Sequence, residues 1–223
     1  EFGKRLMNEV EIPQVSFSLN DVDIVERTLI KTTFRWKGQI INLNLPGVFN
    51  LENALAAAVT AEALGFNKEV IAKGLESAKG TPGRFELLTH GDGQPCVVVD
   101  FCHTPDGLEK IMLSINELLP GARIHVVFGC GGDRDTSKRA QMGMISETHA
   151  TNVYLTSDNP RYEDQMVIIN DILSGIHDTE PVYVNPDRRE AIFHAINKAN
   201  QGDVVLIAGK GCEPYQEISG TLH

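Results

Sequence analysis

Cysteine is scarce in this 223-residue sequence: there are four, Cys96, Cys102, Cys130 and Cys212, and none falls in a C-x-x-C spacing. That excludes a zinc knuckle, a dithiol redox pair and a disulfide scaffold. In a reducing compartment the four are expected to act as small hydrophobes. Positive charge is also scarce, with 20 Lys plus Arg against 30 Asp plus Glu, so the formal charge is 20 − 30 = −10. Nonspecific binding to nucleic acid, which needs many phosphate-neutralising cations, is thereby disfavoured, and any anion site must be local. No apolar run approaches the ~18 residues of a bilayer helix, so no membrane span is expected. The segment Glu1 to Glu9 lacks the apolar h-region of a signal peptide, and a cytoplasmic protein is the expectation. Its abrupt start reads as part of a strand region, with Glu1-Phe2 as a remnant of cloning.

Several motifs are missing too. There is no G-x-x-x-x-G-K-[ST] phosphate loop, no G-x-S-x-G elbow and no H-E-x-x-H helix. A dinucleotide fingerprint beginning at Gly129 fails because Arg134 stands where its third glycine is required. What remains, 42% hydrophobic and 22% charged residues, is the composition of an ordinary globular chain with one to two domains.

Up to about residue 80 the pattern is strand, then helix. Thr33–Trp36 and Gln39–Leu45 flank Lys37-Gly38, a two-residue hairpin turn. The Ala-rich stretch Leu51–Leu64, closed by Gly65, predicts a helix, and Lys68–Ala78 a shorter one. The run Lys79-Gly80-Thr81-Pro82-Gly83-Arg84 breaks both periodicities and marks a domain junction, dividing the chain into 1–80 and 81–223. Beyond it, apolar runs at Cys96–Asp100, Ile124–Phe128, Asn152–Thr156, Val182–Val184 and Val204–Ala208 alternate with amphipathic helices. Such spacing predicts βαβ units and an open, parallel α/β sheet. Ligands of these sheets sit beyond the carboxyl ends of the strands.

Four polar loops occupy those ends. Asp100-Phe101-Cys102-His103-Thr104-Pro105-Asp106 suits a nucleotide, with a ring for the base or ribose and an acid for hydroxyls or a cation; equally, Asp100 and Thr104 could simply satisfy backbone N–H groups. Gly129-Cys130-Gly131-Gly132-Asp133-Arg134-Asp135 offers close backbone approach and a guanidinium for a carboxylate or phosphate, or else a tight turn with a surface pair. Ser157-Asp158-Asn159-Pro160-Arg161 could hold both ends of a zwitterionic amino acid, or start a helix through an Asx turn. Gly209-Lys210-Gly211-Cys212-Glu213 adds an acid able to take an ammonium group.

Taken in order, Asn50-x-x-Asn53, Thr81-Pro82-Gly83-Arg84-Phe85-Glu86, Asp100 to Asp106, Gly129 to Asp135, Asp158-Asn159-Pro160-Arg161 and Gly209-Lys210-Gly211 resemble the Mur ligases, most of all their diaminopimelate-adding members. The resemblance runs from about residue 20 to the end. It implies a Rossmann-like, mostly parallel C-terminal domain over 81–223, preceded over 1–80 by the strand-and-helix end of a central ATPase domain. The implied chemistry is amide-bond formation in peptidoglycan precursors: ATP phosphorylates a nucleotide-peptide carboxylate, and an amino group attacks the acyl phosphate. Asn50, Asn53, Arg84 and Asp100 are implied in the catalytic, ATP-handling set, with His103 near the nucleotide. Arg134, Asp158, Asn159, Pro160, Arg161, Gly209 and Glu213 are implied to bind meso-diaminopimelate. Implied partners are ATP, magnesium held mainly by residues outside this sequence, and a UDP-linked muramoyl dipeptide, acting on a monomer. Two departures stand out: the family's Gly-Lys-Gly-His-Glu has Cys212 in place of histidine with Pro214 following, and its Asp-Tyr-Ala-His reads Asp100-Phe101-Cys102-His103.

The motif order also reads as a chain that begins after the phosphate loop and ends before its relatives do. A noncatalytic module that holds the amino acid or docks a partner domain is the competing expectation. A dehydrogenase-like nucleotide domain lacks its fingerprint.

Overall fold

The computed structural model describes residues 2–91 and 93–223, so Glu1 lies outside it. The chain forms two compact units, 1–79 and 80–223.

In the first unit, α1 (Phe2–Glu9) makes the opening segment helical rather than strand-like. β1 (Asp23–Arg27), β2 (Thr32–Trp36) and β3 (Gln39–Leu43) form an antiparallel meander. Lys37 and Gly38 connect β2 to β3 with φ of 47° and 84°, the left-handed pair that a two-residue hairpin turn requires. α2 (Val48–Ala63) starts three residues before the predicted helix. Asn67 caps α3 (Lys68–Glu76), accepting from the Val70 amide at 2.9 Å. Phe34, Trp36, Ile41 and Leu43 of the sheet bury against Leu51, Leu55 and Ala58 of α2 and Ile71 of α3. Alternation on the strands and i, i+4 spacing on the helix supply that apolar face.

The second unit contains β4 (Glu86–Gly91), β5 (Gln94–Asp100), α4 (Pro105–Leu118), β6 (Ile124–Phe128), α5 (Ser137–His149), β7 (Asn152–Leu155), α6 (Gln165–Leu173), β8 (Val182–Val184), α7 (Arg188–Lys198), β9 (Val204–Ala208) and a short hairpin of β10 (Glu217–Ile218) and β11 (Thr221–Leu222). Its sheet order is β4-β5-β9-β6-β7-β8, parallel throughout except for β4. The predicted parallel α/β sheet is present, with an antiparallel edge strand added. All five residues of β6 are buried, as a central strand covered on both faces must be. Register aligns Asp100 with Ala208, Ile207 with Val127 and Phe128 with Leu155. The loops after β5, β9, β6 and β7 therefore leave the sheet at one level, and β9 inserts between β5 and β6 to make the crossover at which such sheets bind ligands.

Candidate amino-acid site

At this edge a cavity of about 310 Å³ is lined by Phe101, His103, Arg134, Lys138, Asp158, Asn159, Arg161 and Glu213, with the backbones of Gly129, Gly131 and Gly209. Seven positions singled out from the sequence thus meet there: His103, Arg134, Asp158, Asn159, Arg161, Gly209 and Glu213. Pro160 is buried and does not line the cavity. Arg84 and Asp100 lie in the same unit but off the lining, and Asn50 and Asn53 belong to the other unit. There the Asn50 amide donates to the Pro46 carbonyl at 2.7 Å.

Asn159 is the hub. It is buried; its Oδ1 accepts from Lys210 Nζ at 2.9 Å and from the Glu217 amide at 3.0 Å, and its Nδ2 donates to Glu213 Oε2 at 3.2 Å. Lys210 Nζ also reaches Glu213 Oε2 at 3.1 Å and lies 5.4 Å from the Tyr215 ring centroid. One oxygen of Glu213 is therefore engaged, while Oε1 faces no donor among the described residues.

Arg161 has φ of 54°. Its Nη1 donates to the Gly132 carbonyl at 2.7 Å and its Nε pairs with Glu217 Oε2 at 3.0 Å, which leaves Nη2 for a ligand. Its Nη1 lies 3.1 Å from where a Cβ on Gly131 would project, so any side chain at 131 would crowd the guanidinium. Gly132 is tighter: a Cβ there would fall 1.9 Å from the Pro160 carbonyl oxygen. Arg134 is exposed on this loop, and among the described residues no carboxylate pairs with it.

Beneath the loops lies Arg139, 1% exposed. It grips Glu163 through two bonds of 2.9 Å, reaches Asp171 at 2.8 Å and donates to the Gly131 carbonyl at 3.3 Å. Hydrogen bonding from Arg139 holds the Glu163 carboxyl below its usual range. Arg188 is buried behind the loops, donating to the Ala208 carbonyl at 2.9 Å, and burial lowers its pKa against the opposing pull of Asp158.

Asp100 Oδ2 accepts from the Phe85 amide and Oδ1 from the Cys102 amide, both at 2.7 Å. Thr104 Oγ1 caps α4 through Gly107 at 3.2 Å. In this structure, then, Asp100 and Thr104 satisfy backbone N–H groups. Asp100 thereby seats Phe85 at φ of 46°, next to Arg84, whose guanidinium stacks 4.6 Å from the Phe101 ring centroid. His103 is exposed, and its Nδ1 donates to the Phe101 carbonyl at 2.9 Å. Among the described residues no three His, Cys, Asp or Glu side chains group to hold a metal.

Lys210, Arg139, Glu163, Gln216 and Glu217 carry weight that spacing did not disclose. Lys210 had a signal, lying between Gly209 and Gly211, both at positive φ. The others read as ordinary helix or terminal residues until the loops close on them.

Comparison with known proteins places this architecture. The model of the family "Mur ligase, glutamate ligase domain" matches residues 83–211. The UDP-N-acetylmuramoyl-L-alanyl-D-glutamate--2,6-diaminopimelate ligase of Listeria monocytogenes is 46% identical over 178 residues, 80% of this chain and 36% of that protein. The protein of the same name from Solibacter usitatus is 46% identical over 229 residues, 98% of this chain and 46% of its own. A solved structure of a UDP-N-acetylmuramoyl-L-alanyl-D-glutamate--2,6-diaminopimelate ligase superimposes with a TM-score of 0.64 at 36% identity, covering 93% of this chain and 44% of that one. The chain thus spans less than half the length of these relatives.

Proposed function

The chain belongs to the Mur ligase family, and from that premise we propose that it provides the incoming-amino-acid site of an ATP-dependent ligase joining meso-diaminopimelate to UDP-N-acetylmuramoyl-L-alanyl-D-glutamate in peptidoglycan biosynthesis. Residues 80–223 are the amino-acid-binding domain, and residues 1–79 are the end of a central ATP-binding domain. The setting is the cytoplasm, where ATP and the nucleotide-linked precursor are available.

One observation carries the reading: Arg134 and Arg161 line the same cavity as Asp158 and Glu213. Diaminopimelate is a zwitterion at each end, so it needs cations and anions alternating around one cavity. Arg134 and the Nη2 group of Arg161 suit its carboxylates, while Glu213 Oε1 and Asp158 Oδ2 suit an ammonium group. Lysine lacks the second carboxylate and would leave a guanidinium unpaired, which is how such a site rejects it.

ATP, when bound, supplies the phosphoryl group that activates the precursor carboxylate. Of the residues here, Arg84 fits a phosphate, since it is exposed, is held over Phe101 and has no carboxylate partner among the described residues. Among the described residues no three His, Cys, Asp or Glu side chains group to hold magnesium by themselves. With no phosphate-loop motif in the sequence, the chain by itself is a binding module: incubated with ATP, the UDP-dipeptide and diaminopimelate, it releases no ADP.

Calorimetry with meso-diaminopimelate and with lysine tests the reading. Heat from the first alone supports it; equal binding of both, or binding of neither, sinks it.

A further inference from the structure

The hairpin end of the chain packs onto the Asp158–Arg161 loop residue by residue. Gln216 Nε2 donates to the Asp158 carbonyl at 2.8 Å and to the Ser157 carbonyl at 3.3 Å. The Glu217 amide donates to Asn159 Oδ1 at 3.0 Å. Arg161 is held on three sides: its amide donates to the Glu217 carbonyl at 2.9 Å, its carbonyl accepts from the Ser219 amide at 2.7 Å, and its Nε pairs with Glu217 Oε2 at 3.0 Å. Gln216 is itself fixed by backbone pairing with His223, at 2.9 and 2.8 Å.

Arg161 needs such support. A non-glycine residue at φ of 54° sits in a sparsely populated region and persists only when its surroundings over-determine it. The β7 strand ends at Leu155, and six residues later Arg161 is held from the β6 side by its Nη1 bond to the Gly132 carbonyl, while among the described residues its backbone amide and carbonyl bond only to the hairpin end. A flexible arginine would also lose side-chain entropy on gripping a ligand; seating it beforehand removes that cost. The matched family region ends at residue 211, so this strap lies outside it.

We propose that residues 216–219 form a positioning strap that pre-sets Arg161, with Gln216 holding the loop backbone and Glu217 orienting the guanidinium so that Nη2 faces the cavity. Glu217 is accordingly a specificity-determining residue for the ligand carboxylate, although it does not touch the ligand. This assignment rests on the amino-acid reading above.

The test uses the chain and three variants, Gln216→Ala, Glu217→Ala and Glu217→Gln, with two readouts. Amide hydrogen exchange at Arg161 in the ligand-free chain reports the strap without reference to any ligand. Titration with meso-diaminopimelate reports its consequence. Gln216→Ala and Glu217→Ala each remove one or two hydrogen bonds, and should speed exchange at Arg161 and weaken binding about tenfold while leaving the Val126 and Val127 amides unchanged. Glu217→Gln keeps an acceptor for Nε and should stay within about threefold of wild type. Unchanged exchange in both alanine variants overturns the strap. Faster exchange with unaltered affinity overturns its link to the ligand, and failure of Glu217→Gln to rescue overturns the orienting role. Should the unmodified chain bind no diaminopimelate, the proposed function fails instead, and the exchange arm alone decides whether the strap holds Arg161.

Discussion

Arg139 and Glu163 form a two-pronged ion pair, Nη1 to Oε2 and Nη2 to Oε1, both at 2.9 Å, with the guanidinium buried and the carboxylate partly open to solvent. The pair ties α5 to the loop before α6, and Arg139 reaches on to the Gly131 carbonyl. It therefore underlies both loops of the candidate site.

Removing one partner should leave charge and backbone acceptors stranded. Because Glu163 and Asp171 keep access to water, the expected cost of Arg139→Met is about 2 to 3 kcal/mol, less than the ~3 to 5 kcal/mol of a fully buried pair. Urea unfolding of the two proteins measures it. A change under about 0.5 kcal/mol, the range of ordinary surface substitutions, would show that the pair is incidental.

The same pair predicts the acid limb of stability. The Glu163 carboxyl lies below its ordinary value of 4.5 in the folded state because Arg139 bonds its charged form. A depressed folded pKa stabilises fully above the ordinary value and loses that stabilisation as pH falls through the folded one. Melting temperature should thus drop below about pH 4.5, and Arg139→Met should flatten that drop. Parallel acid limbs in the two proteins would refute the assignment.

Thiol chemistry separates the cysteines. Cys102 and Cys130 are buried, and burial pushes the Cys130 thiol up to about 11 and the Cys102 thiol higher still. Cys212 is exposed and Cys96 is intermediate. Native protein treated with a thiol-specific reagent should label Cys212 first, Cys96 slowly, and Cys102 and Cys130 only after unfolding, since the thiolate is the reactive form. Peptide mapping that finds Cys130 modified early contradicts the burial described.

Glycine substitutions give opposite signs at two positions. Gly132→Ala places its Cβ 1.9 Å from the Pro160 carbonyl oxygen, so the two site loops must separate. Diaminopimelate affinity and stability should both fall, the latter by about 1 to 3 kcal/mol. Gly74→Ala, inside α3 with nothing within 4 Å, should instead stabilise by about 0.5 to 1 kcal/mol. Thermal unfolding of both variants compares them directly.

Much of the fold was legible because it rests on local rules. Five Val/Ile-rich runs became β5, β6, β7, β8 and β9, since strands covered on both faces must be apolar throughout. Lys37-Gly38 became the hairpin turn for equally local reasons. The opening segment is helical where a strand is expected, and β4 has no signal in the sequence pattern, because an edge strand with exposed Leu88 needs no continuous apolar run.

The candidate site divides along the same line. Sequence by itself determined which loops carry charge, because strand ends, glycines and the Asp158-Asn159-Pro160-Arg161 run are local features. It also determined that anion binding had to come from a few placed arginines in a chain of net charge −10. Only the tertiary structure decided which of those charges are free to act. Asp100 is occupied by two amides, Glu213 shares one oxygen with Lys210, and Arg161 is held by a strap 55 or more residues further along the chain. A hydrogen bond between residues so far apart in sequence depends on where the sheet brings their loops together, and no local periodicity encodes that.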